Sequence, residues 1–479
     1  TCTSIGYNMR ECLLCGRVEY DFIAATGHSY GEWRELISTC TTRWVVRLCF
    51  TCGCTQTSEE EPVGHRFDNF VCVVCGEIDY ENADLSYLNV YNGTYGYDYL
   101  GTMINGDDLQ SLYRAIDKKV RVFHANTKLN AAEDLSVANI DFTQFNLTTD
   151  DAVAVWKTYK SDNPLYYWLS NSVACTDQTI SLLTENEYAK GVERKIYNNR
   201  VYNAIRKYSD LLNDGDTDYR IALAYHDFII EAVGYAYNSS GAPDTAAWAH
   251  NILGVFECVG AVCEGYARSF QILLNYSGVE NVFVTGTATT TGEAHAWNLV
   301  RLDDDNWYWC DLTWDDTKDW KWGISYNYFC VSDNANKFLD THTYDTSVGI
   351  GANFLYELPA RSNKEFSSET QTLLGAEFSV ENCDFTVVGY NTVELNFING
   401  AGSVEIPQTV TYGTIDYTVI SLGKTIGDTT TSVLSSEIET VYVSETVKFI
   451  WDQAFRVYDL ANICVDENNA WFCSQGGGL

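Results

Sequence analysis

Proline is scarce in this chain, with five among 479 residues, and methionine scarcer, with two. So few prolines exclude a proline-rich linker or stalk. Basic residues are outnumbered, 30 Lys and Arg against 65 Asp and Glu, for a formal charge of −35. A surface of that sign repels phosphate backbones, which excludes nucleic acid as a partner class. The plain reading of the excess is solubility. No apolar run reaches the roughly 18 uninterrupted residues that a membrane-spanning helix needs. A disordered composition is absent too: 46% of residues are hydrophobic, with 33 Tyr, 21 Phe and 13 Trp. That supports sizeable cores, and the length suggests about three domains. The chain starts at Thr1 and ends in GGGL with no sorting signal. A removed leader or a trimmed start is expected, with a C-terminus that continues, in an extracellular or cell-surface protein.

Cysteine is abundant but uneven. Nine of 17 lie in the first 75 residues, at 2, 12, 15, 40, 49, 52, 54, 72 and 75. This region repeats itself. ECLLCG (11–16) recurs as LCFTCG (48–53) and VCVVCG (71–76), and ATGHSY (25–30) recurs as PVGHRF (62–67). Cys12 to Cys49 and His28 to His65 are both 37 residues apart. Each unit reads Cys, then C-x2-C-G, then Gly-His. C-x2-C-G is a knuckle that wraps a metal, its glycine permitting the tight turn behind the second thiolate. A short unit that cannot bury a core needs such a staple. The simplest grouping gives one structural zinc to Cys2, Cys12, Cys15 and His28, and a second to Cys40, Cys49, Cys52 and His65. Cys72 and Cys75 are then an incomplete third unit. Another grouping starts at the histidine, as in His65 with Cys72 and Cys75. Disulfides are the alternative in a secreted protein.

Residues 83–215 read as a largely helical lead-in. Leu109, Leu112, Tyr113 and Ile116 fall on one face of a helix over 106–120, and a second amphipathic helix covers 188–212. NPLYYWLS (163–170) is a strand or buried turn. Over 216–345 the pattern is a helix (218–237), a helix from about Cys263 to Tyr276, then three strands. HAWNLVRL (295–302) and NWYWCDLTWD (306–315) flank a hairpin turn at DDDN. Residues 370–479 are β-rich. There Ile438, Val441 and Val443 recur 22 residues later as Leu460, Ile463 and Val465, a leucine-rich-repeat spacing. The expected domains are 1–82, 83–360 and 370–479.

GAVCEGYARSF (260–270) places Cys263 where a helix begins. There the dipole and free N–H groups lower a thiol pKa and can hold an oxyanion. A nucleophilic cysteine also needs a base and a group that orients the base. With the hairpin turn centred near 303, His295 and Asp311 lie opposite each other on one face. Singly, Cys263 and His295 read as core residues; together with Asp311 they read as a site. Trp297, Trp307, Trp309 and Trp314 read as packing around it, some lining a groove. Asp315 and Asp316 read as turn or solvent residues, and His226–Asp227 as structural. Cys258 and Cys310 are left open between disulfide, inert thiol and redox-sensitive thiol.

AVCEGYARSF, HAWNLV and WYWCDLTWDD, in that order, resemble the transglutaminase-like superfamily, and within it the bacterial secreted, protease-like branch. The resemblance runs from about Asp84 to Phe338. It implies an α+β fold with a papain-like core, a cysteine-bearing helix packed on an antiparallel sheet, and a triad of Cys263, His295 and Asp311. It implies acyl transfer through a Cys263 thioester without a catalytic cofactor. Hydrolysis of peptide or amide bonds is favoured, since nothing marks a dedicated amine site; protein cross-linking is the alternative. The C-terminal segment resembles the BspA-type leucine-rich repeats of bacterial surface proteins. From these follow the expected partners: a protein or peptide substrate, cell-wall peptide included, and a protein partner at the repeats, for a monomer. An adhesion protein with a scaffold core is the competing expectation.

Overall fold

The structure is a computed structural model describing residues 1–479 except 258, 318–323, 335–337, 346–355, 369–370, 427–428 and 475–479. It divides into two compact units, Thr1–Ser86 and Tyr87–Leu479. The expected catalytic and repeat segments thus share one unit.

The first unit is built of β-hairpins. Strands Gly6–Glu11 and Val18–Ile23 form the first, and Arg43–Leu48 and Thr55–Glu60 the second, with Arg34–Ser38 paired along its edge. A two-residue ladder, Phe67–Asp68 with Val71–Cys72, follows. Five hydrophobic residues of this unit are buried, and four of them are cysteines: Cys2, Cys40, Cys49 and Cys72, with Val45.

In the second unit the lead-in is helical as expected. Helix Gly106–Ala125 buries Leu109, Leu112, Tyr113 and Ile116, and helix Thr149–Asp162 starts in a capping box from Thr148 and Asp151. NPLYYW is the buried turn, and the next strand starts at Leu169. The helix expected over 218–237 stops at Ala232.

The centre is the helix Cys263–Tyr276 against a four-stranded antiparallel sheet. Strand order is Trp307–Cys310, Glu293–Arg301, Asn281–Ala288, His342–Tyr344. The helix buries Tyr266, Ala267, Phe270, Ile272, Leu273 and Leu274, and Ala267 and Cys263 pack on Phe283 and Ala296 of the sheet. A Cβ on Gly265 would sit 2.4 Å from the Ala249 carbonyl, so only glycine lets the first turn lie against that segment.

From residue 377 the antiparallel strands Glu377–Val380, Cys383–Gly389 and Thr392–Ile398 lead into parallel pairs. Thr392–Ile398 pairs Ile415–Leu422, which pairs Phe449–Ile450. Ala401–Glu405 pairs Glu437–Val443, which pairs Asn462–Val465. Val441 faces Ile463 and Val443 faces Val465, the 22-residue step of the sequence. Ile406, Val410, Val447 and Ala454 turn into the same core, so the IPQTV, VSETV and QAF turns close its ends.

This segment is tied to the core by buried polar groups. Asp227 accepts the Tyr390 N–H at 2.7 Å, and Arg220 donates to Asn391 at 2.6 Å and to Asp216 at 2.7 Å. Asp227 also meets His226 Nδ1 at 2.9 Å, and His226 Nε2 meets Asp315 at 3.3 Å. Asp315, expected at the surface, is fully buried and takes the Ser325 hydroxyl and Tyr328 N–H as well. Burial opposes the charge on His226, but the two carboxylates overcome it and raise its pKa to about 9. Held between two buried carboxylates, His226 has a structural role. Removing a partner from a buried charge is costly. Asp315→Ala should lower unfolding free energy by about 3 kcal/mol in urea denaturation, and a loss below about 1 kcal/mol would contradict this network.

Candidate active site and metal clusters

The helix Cys263–Tyr276 begins at the cysteine, as the sequence predicts. The preceding residue, Val262, is extended and caps nothing with its side chain, which leaves the first N–H groups for other partners. One has a partner: the Cys263 backbone meets the Tyr235 hydroxyl. Sequence reasoning missed Tyr235, which a Tyr235–Ala261 bridge brings alongside.

His295 lies on strand Glu293–Arg301 with its Nε2 2.7 Å from Asp311 Oδ2. Cys263 is close enough to favour the charge on His295, and the two side chains line one groove, so the structure brings the three predicted residues together. The hairpin register differs from expectation. Arg301 pairs Trp307, which centres the turn at 304, and Asp311 falls past the strand's end. There it is the N-cap of the short helix Leu312–Asp315, its Oδ1 accepting from Thr313 N at 3.0 Å and Trp314 N at 3.2 Å. The contact with His295 survives because a cap side chain reaches back where a strand side chain would not.

Asp311 Oδ2 has a second partner, His342 Nε2 at 3.0 Å. His342 is fully buried, and its Nδ1 faces Thr341 Oγ1 and the Phe338 carbonyl. It arrives on the fourth strand, through the Ala288–His342 pair. No motif marks it; being one of seven histidines was its one signal. His295, Asp311 and His342 are close enough to hold a cation, and both imidazoles stand at ordinary hydrogen-bond distance from the shared oxygen.

Burial opposes protonation of His295, but Asp311 and then Cys263 overcome it and raise its pKa to about 10. Burial likewise opposes ionisation of Asp311, yet the two imidazoles hold its carboxyl well below the usual carboxylate range. Trp314 lies against His295 and His342 with ring centres at 5.6 and 4.3 Å, and Trp297 and Trp309 are buried behind the sheet. Of the tryptophans named from sequence, Trp297 and Trp314 pack against His295, whereas Trp307 sits by the hairpin turn against Tyr95. The groove beside Cys263 takes its aromatic wall from Trp156 and Phe283.

That groove, about 570 Å³, is also lined by Lys157, Lys160, His250, Glu264, Arg268 and Asp345. Arg268 and His250 bind Glu264 at 2.9 and 3.2 Å. Burial lowers Lys160 to about 7, and Arg268 adds to the effect. Cys310 lies off the groove with its sulfur 3.3 Å from Cys330, and Cys258 is outside the described residues.

The metal clusters correct the first grouping. Cys2, His28, Cys49 and Cys52 come together, and so do Cys40, His65, Cys72 and Cys75. Cys12 and Cys15 join neither. Cys2 and His28 bracket the base of the first hairpin and Cys12–Cys15 its tip, separated by strands of six residues, roughly 20 Å. A knuckle cannot reach its own base, and the next hairpin's knuckle fills the place. Sulfur–sulfur distances of 3.7 and 3.4 Å (Cys2–Cys49, Cys40–Cys72) and sulfur–imidazole distances of 3.3 and 3.4 Å suit one ion. Thiolates about 2.3 Å from zinc stand roughly 3.8 Å apart, whereas a disulfide spans about 2.05 Å. Burial opposes ionisation of Cys49 and Cys72, yet backbone N–H groups and the adjacent imidazole bring both to about 5. Both clusters can hold a metal.

Residues 206–312 match the family described as the transglutaminase-like superfamily. This segment belongs to that superfamily. Three solved structures are similar to parts of the chain. One is described as a TGase, with 18% identity over 30% of this chain and 44% of that one at a TM-score of 0.21. Another is described as a "Putative Cysteine Protease" from Cytophaga hutchinsonii, with 18% identity over 30% and 39% at 0.20. The third is a leucine rich cell surface protein from Faecalibacterium prausnitzii, with 16% identity over 19% and 24% at 0.16. The chain spans less than half the length of each. No curated protein matches it. The transglutaminase-like fold is generally that of a cysteine-dependent enzyme.

The His295–Asp311 pair has a definite pH signature. His295, raised from 6.5 to about 10, contributes stability that is complete below 6.5 and lost as pH climbs through 10. Asp311, lowered from 3.8, contributes stability present above 3.8 and lost as pH falls through its folded value. Between pH 6.5 and 10 the parent should therefore lose stability relative to His295→Gln, by at most about 1.4 kcal/mol per pH unit. Parallel stability curves in denaturant titrations across that range would contradict the ion pair.

Proposed function

We propose that this protein is a secreted or surface-attached bacterial cysteine hydrolase that cleaves peptide or amide bonds through a thioester on Cys263. The observation that carries this is the placement of Cys263 and His295 on the wall of one groove, with His295 bonded to the buried Asp311. His295 takes the thiol proton, leaving a thiolate beside an imidazolium. The thiolate adds to the substrate carbonyl carbon; the C–N bond breaks as His295 protonates the departing amine. A water, deprotonated by His295, then adds to the thioester, and the C–S bond breaks to release the acid and restore the thiolate. Asp311 holds the imidazole in its working tautomer throughout. As the oxyanion forms, the Cys263 N–H turns to it from the Tyr235 oxygen, and the Tyr235 hydroxyl donates beside it.

The groove favours acidic substrates. In a chain of net charge −35 it sets Lys157 and Lys160 against Asp345, with Arg268 and His250 together outweighing the Glu264 they bind. A peptide with a carboxylate near the scissile bond, as in cell-wall peptides, suits that balance. The two Cys3His clusters hold structural zinc, and the parallel repeat presents a surface to a protein partner. Water is the acceptor in this reading; a lysine amine in its place gives a cross-link.

Cys263→Ala should abolish turnover of an acidic peptide substrate while leaving circular dichroism and Tm unchanged. Turnover persisting in that variant would refute the thioester. Tyr235→Phe should lower kcat by about a hundredfold with little change in KM, the loss typical of one oxyanion donor; an unchanged kcat would remove Tyr235 from the site.

A further inference from the structure

Three knuckles in the N-terminal unit share one geometry. The first cysteine's N–H bonds the carbonyl five residues on: Cys12 to Arg17, Cys49 to Cys54, Cys72 to Glu77, at 2.9, 2.9 and 2.7 Å. The glycine four residues on donates back to that cysteine, at 2.8, 2.9 and 2.8 Å. Gly16, Gly53 and Gly76 all turn with φ near +70° (67, 73 and 73°). In all three, backbone N–H groups from inside the loop point at the first sulfur.

Two of these knuckles face a cysteine and a Gly-His histidine. Cys49–Cys52 meets Cys2 and His28, and Cys72–Cys75 meets Cys40 and His65. In each case the base of one hairpin receives the knuckle that comes next in the chain. The third knuckle, Cys12–Cys15, has no such partners among the described residues. Its sulfurs are exposed, and Leu13 and Leu14 at its tip are fully exposed. The hairpin carrying it is also bare. The second hairpin has Arg34–Ser38 paired along its edge, whereas the first has only its own two strands and leaves Tyr7, Met9, Tyr20 and Phe22 at least half exposed.

We infer that Cys12 and Cys15 are the preformed half of a third tetrahedral metal site, completed by the cysteine and Gly-His histidine of a further unit of this same repeat. The module is then a linear array in which every ion joins the base of one hairpin to the tip of the next, and Cys12–Cys15 is its open end. This rests on the reading of the two closed clusters as metal sites. A second copy of the chain has no spare base to offer, since Cys2, His28, Cys40 and His65 are already engaged. A further unit in the same polypeptide is the source the pattern favours.

The test compares the 479-residue chain with a tandem variant in which Thr1–Ser38 is duplicated ahead of Thr1, keeping the register of Thr1–Cys2 with Thr39–Cys40. Cobalt(II) is the probe, read by native mass spectrometry and the visible spectrum of tetrahedral cobalt thiolate. The parent should bind two ions and the tandem variant three, returning to two when Cys12 and Cys15 of the internal unit become serine. Alkylation should follow: Cys12 and Cys15 label freely in the metal-loaded parent and become protected in the internal unit of the tandem variant. Two ions and free labelling in both proteins would overturn the third site while sparing the closed ones. No ion in the parent would overturn the metal reading and the inference together. A third ion in the parent that joins two chains would overturn the tip-to-base assignment in favour of paired knuckles.

Discussion

A fully buried carboxylate organises the candidate active site. Asp311 divides its oxygens, one to the N–H groups of a helical turn and the other to two imidazoles. An unpaired carboxylate in that position would be unaffordable, so each contact is a condition on the fold. The turn must start at Asp311, the strand carrying His295 must begin beside it, and the strand carrying His342 must close the sheet's far edge. With those conditions met, His295 is fixed toward the helix that presents Cys263. The same turn ends at Asp315, whose contacts with His226 and onward to Asp227 and Tyr390 connect the site to the parallel repeat. The catalytic core and the repeat are thereby held as one body through buried charge, not only through apolar packing.

The N-terminal unit solves a different problem. Its strands are short and open to solvent, and its buried apolar atoms are nearly all cysteine sulfur. With no core to draw on, such a unit depends on cross-links for its fold. An ion held by each Cys3His cluster would make the stability of each unit depend on its neighbour. The sequence repeat and the structural repeat are for that reason offset by half a unit.

Much of this was legible in the residues. Cys263 opening a helix to Tyr276, the three strands after it, and the 22-residue step that stacks Val441 on Ile463 all follow from local periodicity, which is a local property of the chain. What escaped was set by geometry across distance. The hairpin centre moved by one residue because the turn spans Leu302 to Asn306, and Asp311 kept its partner by capping a helix. His342 lies 47 residues beyond His295 with nothing in its surroundings to mark it. Asp315 looked like a surface acid because its partner, His226, is 89 residues away. The knuckles were assigned to the wrong bases because nearness in sequence is a poor guide once six-residue strands separate tip from base.

The central claim, that Cys263 works as a nucleophile paired with His295, is tested most directly by alkylation. Iodoacetamide labelling of the native chain would be followed from pH 4 to 9, each modified cysteine being located by mass spectrometry. Ordinary thiols, with pKa near 8.5, react slowly in acid. A nucleophilic Cys263 should label at pH 5–6 well ahead of the exposed Cys175, and His295→Ala should remove this advantage. Labelling of Cys263 no faster than Cys175 across the range, or an advantage that persists without His295, would contradict that claim.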